Sequence, residues 1–163
     1  MLKECFRELE NRLLEETKAL YGKRLVSVVL FGSAARKTQS FDSDLDVLLV
    51  VRELPDGRMK RVREFDTVEK KLEPLFKALR VKDIDTRISA ILKSPEETEM
   101  GSPLFLDMVD DANILYDRDG FFSKRLEKLK EKLKVLGAQR VWKGSAWYWD
   151  LKPDYKKGDV IEL

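Results

Sequence analysis

Phe31-Gly-Ser-Ala-Ala-Arg-Lys-Thr-Gln-Ser-Phe-Asp-Ser-Asp-Leu-Asp-Val-Leu-Leu49 is the stretch on which the reading of this chain turns. It is framed by two short apolar runs, Leu25 to Phe31 and Asp44 to Val51, each of which predicts a buried strand. The second run carries two acids at its head. Side chains two apart in a strand point to one face, so Asp44 and Asp46 are expected side by side while Leu45 and Val47 turn into the core. Two adjacent carboxylates repel unless a cation lies between them. An all-oxygen pair suits Mg²⁺, which takes carboxylates, waters and substrate phosphates. At the other end of the stretch, Gly32-Ser33 closes the first strand. Glycine permits a tight turn and a close backbone approach, and successive amides with the Ser33 hydroxyl make a phosphate cradle. Arg36 and Lys37, one turn further on, can add charge-assisted contacts to a polyphosphate, Arg36 ahead of Lys37. A phosphate cradle facing a metal-binding acid pair supplies the two halves of a nucleoside triphosphate site.

Outward from this stretch the chain alternates between helix and strand patterns. Leu2 to Tyr21 bears an apolar stripe at Leu2, Phe6, Leu9, Leu13, Leu14 and Leu20, and Gly22 stops it. Arg58 to Leu79 predicts a helix with Pro74 as a kink or break. Asp83 to Leu92 alternates at period two in its first part and predicts a third strand, with Asp83, Asp85 and Arg87 on one face. Ser94-Pro-Glu-Glu97 is a helix start. A short helix from Pro103 to Val109, a strand from Asn113 to Tyr116 and an amphipathic helix from Gly120 to about Leu136 follow. This order implies an α/β (α+β) fold, a small mixed sheet flanked by helices. Residues 1–136 are expected to form one domain. Residues 137–163, with three Trp and two Tyr among Lys and Gly, show no sustained period and form an aromatic, basic tail. That tail either folds back over the core or binds a partner.

Composition narrows the chemistry. The 163 residues are 43% hydrophobic and 38% charged, with no histidine and a single cysteine, Cys5. A Ser-His-Asp triad, a Cys-His pair and a His/Cys zinc site are therefore all excluded. Catalysis must run on carboxylates, Lys, Arg, hydroxyls or a metal held by oxygen. No apolar run is long enough to cross a membrane. The acidic, amphipathic start carries no secretory pattern, so a cytoplasmic protein is expected. The net charge of +2 gives no case for nucleic acid as the substrate.

Gly32-Ser33, ten residues and then Asp44-x-Asp46 in an apolar strand resemble the signature of the polymerase-beta-type nucleotidyltransferase superfamily, whose fold is palm-like. Ile84-Asp85-Thr86-Arg87-Ile88 is similar to the strand that carries the superfamily's third acid, with Asp83 as the competitor to Asp85. The short chain resembles the minimal nucleotidyltransferase (MNT) branch, in particular the antitoxins paired with helical HEPN ribonuclease toxins. The resemblance spans roughly residues 24 to 117. It implies that Gly32, Ser33 and Arg36 bind the nucleotide, and that Asp44, Asp46 and Asp85 are catalytic and hold two Mg²⁺ ions. It further implies transfer of AMP from ATP onto a hydroxyl of a partner protein, a HEPN-like toxin. Two alternatives stand beside this: a toxin-binding module without catalysis, and an aminoglycoside-type transferase acting on a small molecule.

Overall fold

The computed structural model describes residues 1–163. Its first element, α1 (Leu2–Tyr21), buries Phe6, Leu9 and Leu13 along the expected stripe, and the chain leaves it through Gly22 at φ 55°. β1 (Leu25–Phe31) is buried along almost its whole length. A four-residue helix, α2 (Ser33–Arg36), follows and is closed by Lys37 in the left-handed conformation. β2 (Leu45–Val51) then runs back antiparallel to β1. α3 (Arg58–Val81) continues through Pro74 without ending. Proline costs that helix one hydrogen bond. Burial of Phe65, Val68, Leu72, Phe76 and Leu79 along one stripe outweighs the loss.

α3 is the crossover that makes the next strand parallel to β2, as parallel pairing requires a long connection. That strand, β3, covers Ile88–Lys93. The expectation that it begins at Asp83 is corrected here. Period-two burial does hold ahead of it, with Ile84 and Thr86 buried and Asp83, Asp85 and Arg87 exposed. Yet Asp83 sits at φ 60°, and Asp85 and Thr86 bond to the Phe41–Ser43 loop instead of to a strand: Asp85 N–H donates to the Phe41 carbonyl and the Thr86 hydroxyl to that of Ser43. The ladder starts where β2 itself starts, with Leu45 opposite Ile88.

α4 (Pro95–Met100) is capped by the Ser94 hydroxyl, which accepts from Glu97 N–H. α5 (Leu104–Asp111), β4 (Asn113–Asp117) and α6 (Phe121–Leu136) follow. The four-stranded mixed sheet has the order β3-β2-β1-β4. Residues on its two faces feed two cores. Val28, Leu30, Leu45, Val47, Leu49 and Val51 join α1 and α3. Val26, Val29, Leu48 and Val50 join Phe105 and Met108 of α5 and Phe122, Leu129 and Leu133 of α6.

The tail is more ordered than its composition suggests. β5 (Gln139–Lys143) and β6 (Ala146–Asp150) form a hairpin across Gly144-Ser145, with Gly144 at φ 63°. Pairing of Arg140 with Trp149 and of Trp142 with Trp147 puts these four side chains on one face. The alternation is short and interrupted by the turn, which hides it from a periodicity scan. Trp149, Leu151 and Leu163 pack on the α5–α6 core.

Candidate active site

Antiparallel β1 and β2 bring the end of one strand to the start of the other, so Phe31 lies opposite Asp46. Everything the sequence singled out at Gly32-Ser33 and at Asp44-x-Asp46 therefore meets at one end of the sheet. Leu45 and Val47 point into the α1–α3 core, and Asp46 lies on the other face, beside the α5–α6 side. Asp44 is exposed and Asp46 half-buried.

Gly32 adopts φ 67° and ψ −145°, a conformation open essentially to glycine alone. A Cβ at this position would run into Oδ2 of Asp46. The glycine thus lets the cradle backbone and the acid pair touch. After it, Arg36 N–H donates to the Gly32 carbonyl, and the amides of Ser33 and Ala34 open the four-residue helix, where no intrahelical carbonyl can accept from them. Amides in that place beside a carboxylate pair suit a phosphate oxygen.

The electrostatics are unbalanced toward negative charge. Burial, and then the neighbouring charge of Asp44, pushes the Asp46 carboxyl above its ordinary range; the Ser89 hydroxyl and the Arg36 guanidinium pull the other way. Asp46 is an ionisable group whose charged form wants a cation. Ser89 reaches it because parallel pairing sets Asp46 beside Ser89 in register. Neither residue-type counting nor spacing marks Ser89. The alternation Asp85-Arg87-Ser89, laid against β2 in parallel register, would have found it.

Asp85 is exposed, two residues ahead of Arg87, whose carbonyl accepts from the Leu45 amide next to Asp44, and its own amide is tied to Phe41. No group of three or more His, Cys, Asp or Glu stands close enough to hold a metal ion. Asp83 is exposed as well, in a left-handed turn. Lys37, also exposed, faces Glu10 of α1. The acid pair, Gly32, Ser33, Arg36 and Ser89 are the residues that the fold assembles.

One wall comes from the tail. The Arg36 guanidinium stacks over the Trp147 ring at 5.0 Å, and Arg140 lies 4.3 Å from the same ring. Trp147 Nε1–H donates to Asp107 of α5 at 3.2 Å, and Arg140 pairs with Asp111 at 2.9 Å. The hairpin is thereby pinned to α5 and holds Arg36 from the outside. Trp142, 5.0 Å from Trp147, remains 56% exposed.

Asp44 and Asp46 fit one Mg²⁺ ion. The pair carries charge that no cation of the chain neutralises in an ion pair, and it is short of ligands in the way expected of a site that substrate phosphates complete.

A family model described as a nucleotidyltransferase domain matches residues 10–100. A protein of Methanocaldococcus jannaschii, named by inference as a protein adenylyltransferase, is 30% identical over 140 residues, 82% of this chain and 90% of that one. Among solved structures, a toxin–antitoxin crystal structure with AMP-PNP is similar at a TM-score of 0.46 and 17% identity, over 78% of this chain and 92% of that one. A Shewanella oneidensis tri-AMPylated HEPN toxin in complex with its MNT antitoxin gives 0.41 and 14%, over 84% and 93%. With its family model covering more than half the chain and a relative matched along most of both lengths, the chain belongs to the nucleotidyltransferase domain family.

Proposed function

We propose that the protein moves AMP from ATP onto a hydroxyl of a partner protein, with Asp44 and Asp46 holding Mg²⁺. The observation that carries this is the contact of Gly32 with Asp46: it sets the first amides of α2 directly against the acid pair. When bound, the ion supplies neutralisation of charge at the triphosphate. The amides of Ser33 and Ala34 and the Ser33 hydroxyl donate to phosphate oxygens. Arg36, held by Trp147, neutralises the departing pyrophosphate. The acceptor oxygen bonds to the α-phosphorus as the bond to the β-phosphate oxygen breaks, and the hydroxyl proton leaves to solvent.

Two features support a protein acceptor. The relative matched along most of its length is named as a protein adenylyltransferase. Asp44 is exposed at the end of the sheet, so a large acceptor has access. The resemblance of Gly32-Ser33 and Asp44-x-Asp46 on a short chain to MNT antitoxins makes a HEPN-type toxin the partner we propose.

The test is transfer from α-labelled ATP with Mg²⁺ to proteins of a soluble lysate. The Asp44→Asn/Asp46→Asn variant lowers label by about 10³-fold or more. Its metal-free thermal midpoint is unchanged or higher, because Asp46 is raised above its ordinary value and its charge opposes folding at neutral pH. Asp85→Asn tests the third acid: a loss of transfer of about tenfold or more assigns it to the site, and transfer within about threefold of the wild type removes it. Label confined to small molecules overturns the protein acceptor, and equal label in the double variant overturns the catalytic pair.

A further inference from the structure

At the opposite end of the sheet from the acid pair, a cavity of about 260 Å³ lies between the end of β2, the β4–α6 turn and the first half of α6. Arg52, Arg118, Lys124, Arg125 and Lys128 line it, against two carboxylates, Glu99 and Asp119. None of these seven groups belongs to an ion pair or to a side-chain hydrogen bond anywhere in the chain, although ion pairs are frequent elsewhere on its surface.

Arg125 gives the cluster its meaning. It is 6% exposed, and its Nε is fully buried with no acceptor. Its Nη2 lies close to Gly101, in a neighbouring cavity that Arg125 also borders. Buried charges in folded proteins are paired, because desolvation penalises an isolated ion heavily. Arg125, its buried Nε without a partner, lines the cavity beside four more cations. Repulsion among them favours an anion in the space between.

We propose that this cavity is a binding site for a compact phosphate group, either free phosphate or the phosphate of a small monoester, separate from the transfer site. The tetrahedral dianion presents several acceptor oxygens at once. Arg118 and Arg125 offer planar forks of donors, and Lys124 and Lys128 offer mobile ones. β1 is seven residues long, so the two sites lie about 20 Å apart along the sheet. Occupancy here leaves the acid pair open.

Thermal unfolding of the full chain, free of metal and nucleotide, tests this with inorganic phosphate and AMP as probes at constant ionic strength against chloride. Phosphate binding raises the midpoint with the logarithm of its concentration. The rise persists in Ser33→Ala/Arg36→Ala and disappears in Arg118→Ala/Lys128→Ala, which alters only cations outside the buried core. Arg125→Met, with the buried charge removed, unfolds no lower than the wild type in phosphate-free buffer and responds to neither probe. A response to phosphate alone assigns free phosphate, and a response at lower AMP concentration assigns the monoester. An equal rise in chloride, a rise retained in Arg118→Ala/Lys128→Ala, or no rise with either probe overturns the site. Should Arg125→Met fail to fold, the Arg118→Ala/Lys128→Ala result decides alone.

Discussion

Gly32 holds a backbone conformation at φ 67° that a side chain opposes twice, through its own torsion and through collision with Oδ2 of Asp46. Gly32→Ala therefore costs about 2 kcal/mol in urea unfolding and lowers transfer more than stability, since the Asp46 carboxylate must move away. Arg36 shows the same dependence on a neighbour. Its guanidinium rests on the Trp147 ring, a contact worth about 0.5–1 kcal/mol where partly exposed. Trp147→Leu raises KM for ATP about threefold with little change in kcat, and Trp147→Phe, which keeps an aromatic face, restores most of it. A purely structural role would lower the thermal midpoint equally in both variants and leave KM alone. At this scale the sequence was legible wherever the candidate site is built from neighbours in the chain: Gly32, Ser33 and the Asp44/Asp46 pair. Ser89 and Trp147 reach the site from 43 and over 100 residues away, and no local spacing marks them.

Between elements, the junction of β4 and α6 rests on Asp117. Its carboxylate accepts from the Phe122 and Ser123 amides, the Ser123 hydroxyl and the Ser27 hydroxyl, at 2.7 to 2.9 Å. Burial alone would raise this carboxyl, but the four hydrogen bonds win and hold it below its ordinary value. A depressed carboxyl stabilises the fold fully above its unfolded value of about 4 and loses that contribution as pH falls through the folded one. Asp117→Ala therefore costs about 1–2 kcal/mol between pH 5 and 7. The difference from wild type shrinks below about pH 4, as chemical denaturation at a series of pH values will show. Element boundaries were readable in the sequence where apolar periodicity ran to a stop signal, as in α1 and Gly22. They were not readable for β3, because burial of Ile84 and Thr86 mimics a strand before any ladder exists.

Over the whole molecule, the sheet has one helical layer of α1 and α3 and another of α5 and α6, and the hairpin closes the second. Trp149, Leu151 and Leu163 cover that core, and Arg140 bridges to Asp110 and Asp111. A chain ending at Leu136 uncovers this surface. Its thermal midpoint falls by on the order of 5–10 °C, and its affinity for ATP falls with the loss of Trp147 beside Arg36. An unchanged midpoint would mean the hairpin is only an appendage.

The sequence by itself determined the chemistry available to this protein and the fold that displays it. Without histidine and with a single cysteine, only oxygen ligands and cations remained. Two apolar strands, with a glycine turn after one and paired acids before the other, force a cradle and a carboxylate pair onto one sheet end, because antiparallel strands joined by a short link must return to where they left. The tertiary structure alone decided which distant residues complete that end. Parallel register delivered Ser89 to Asp46 and left Asp85 beside Phe41, and packing of the hairpin on α5 brought Trp147 onto Arg36. Register and packing are set by the sum of contacts across whole faces, which no local stretch of chain encodes.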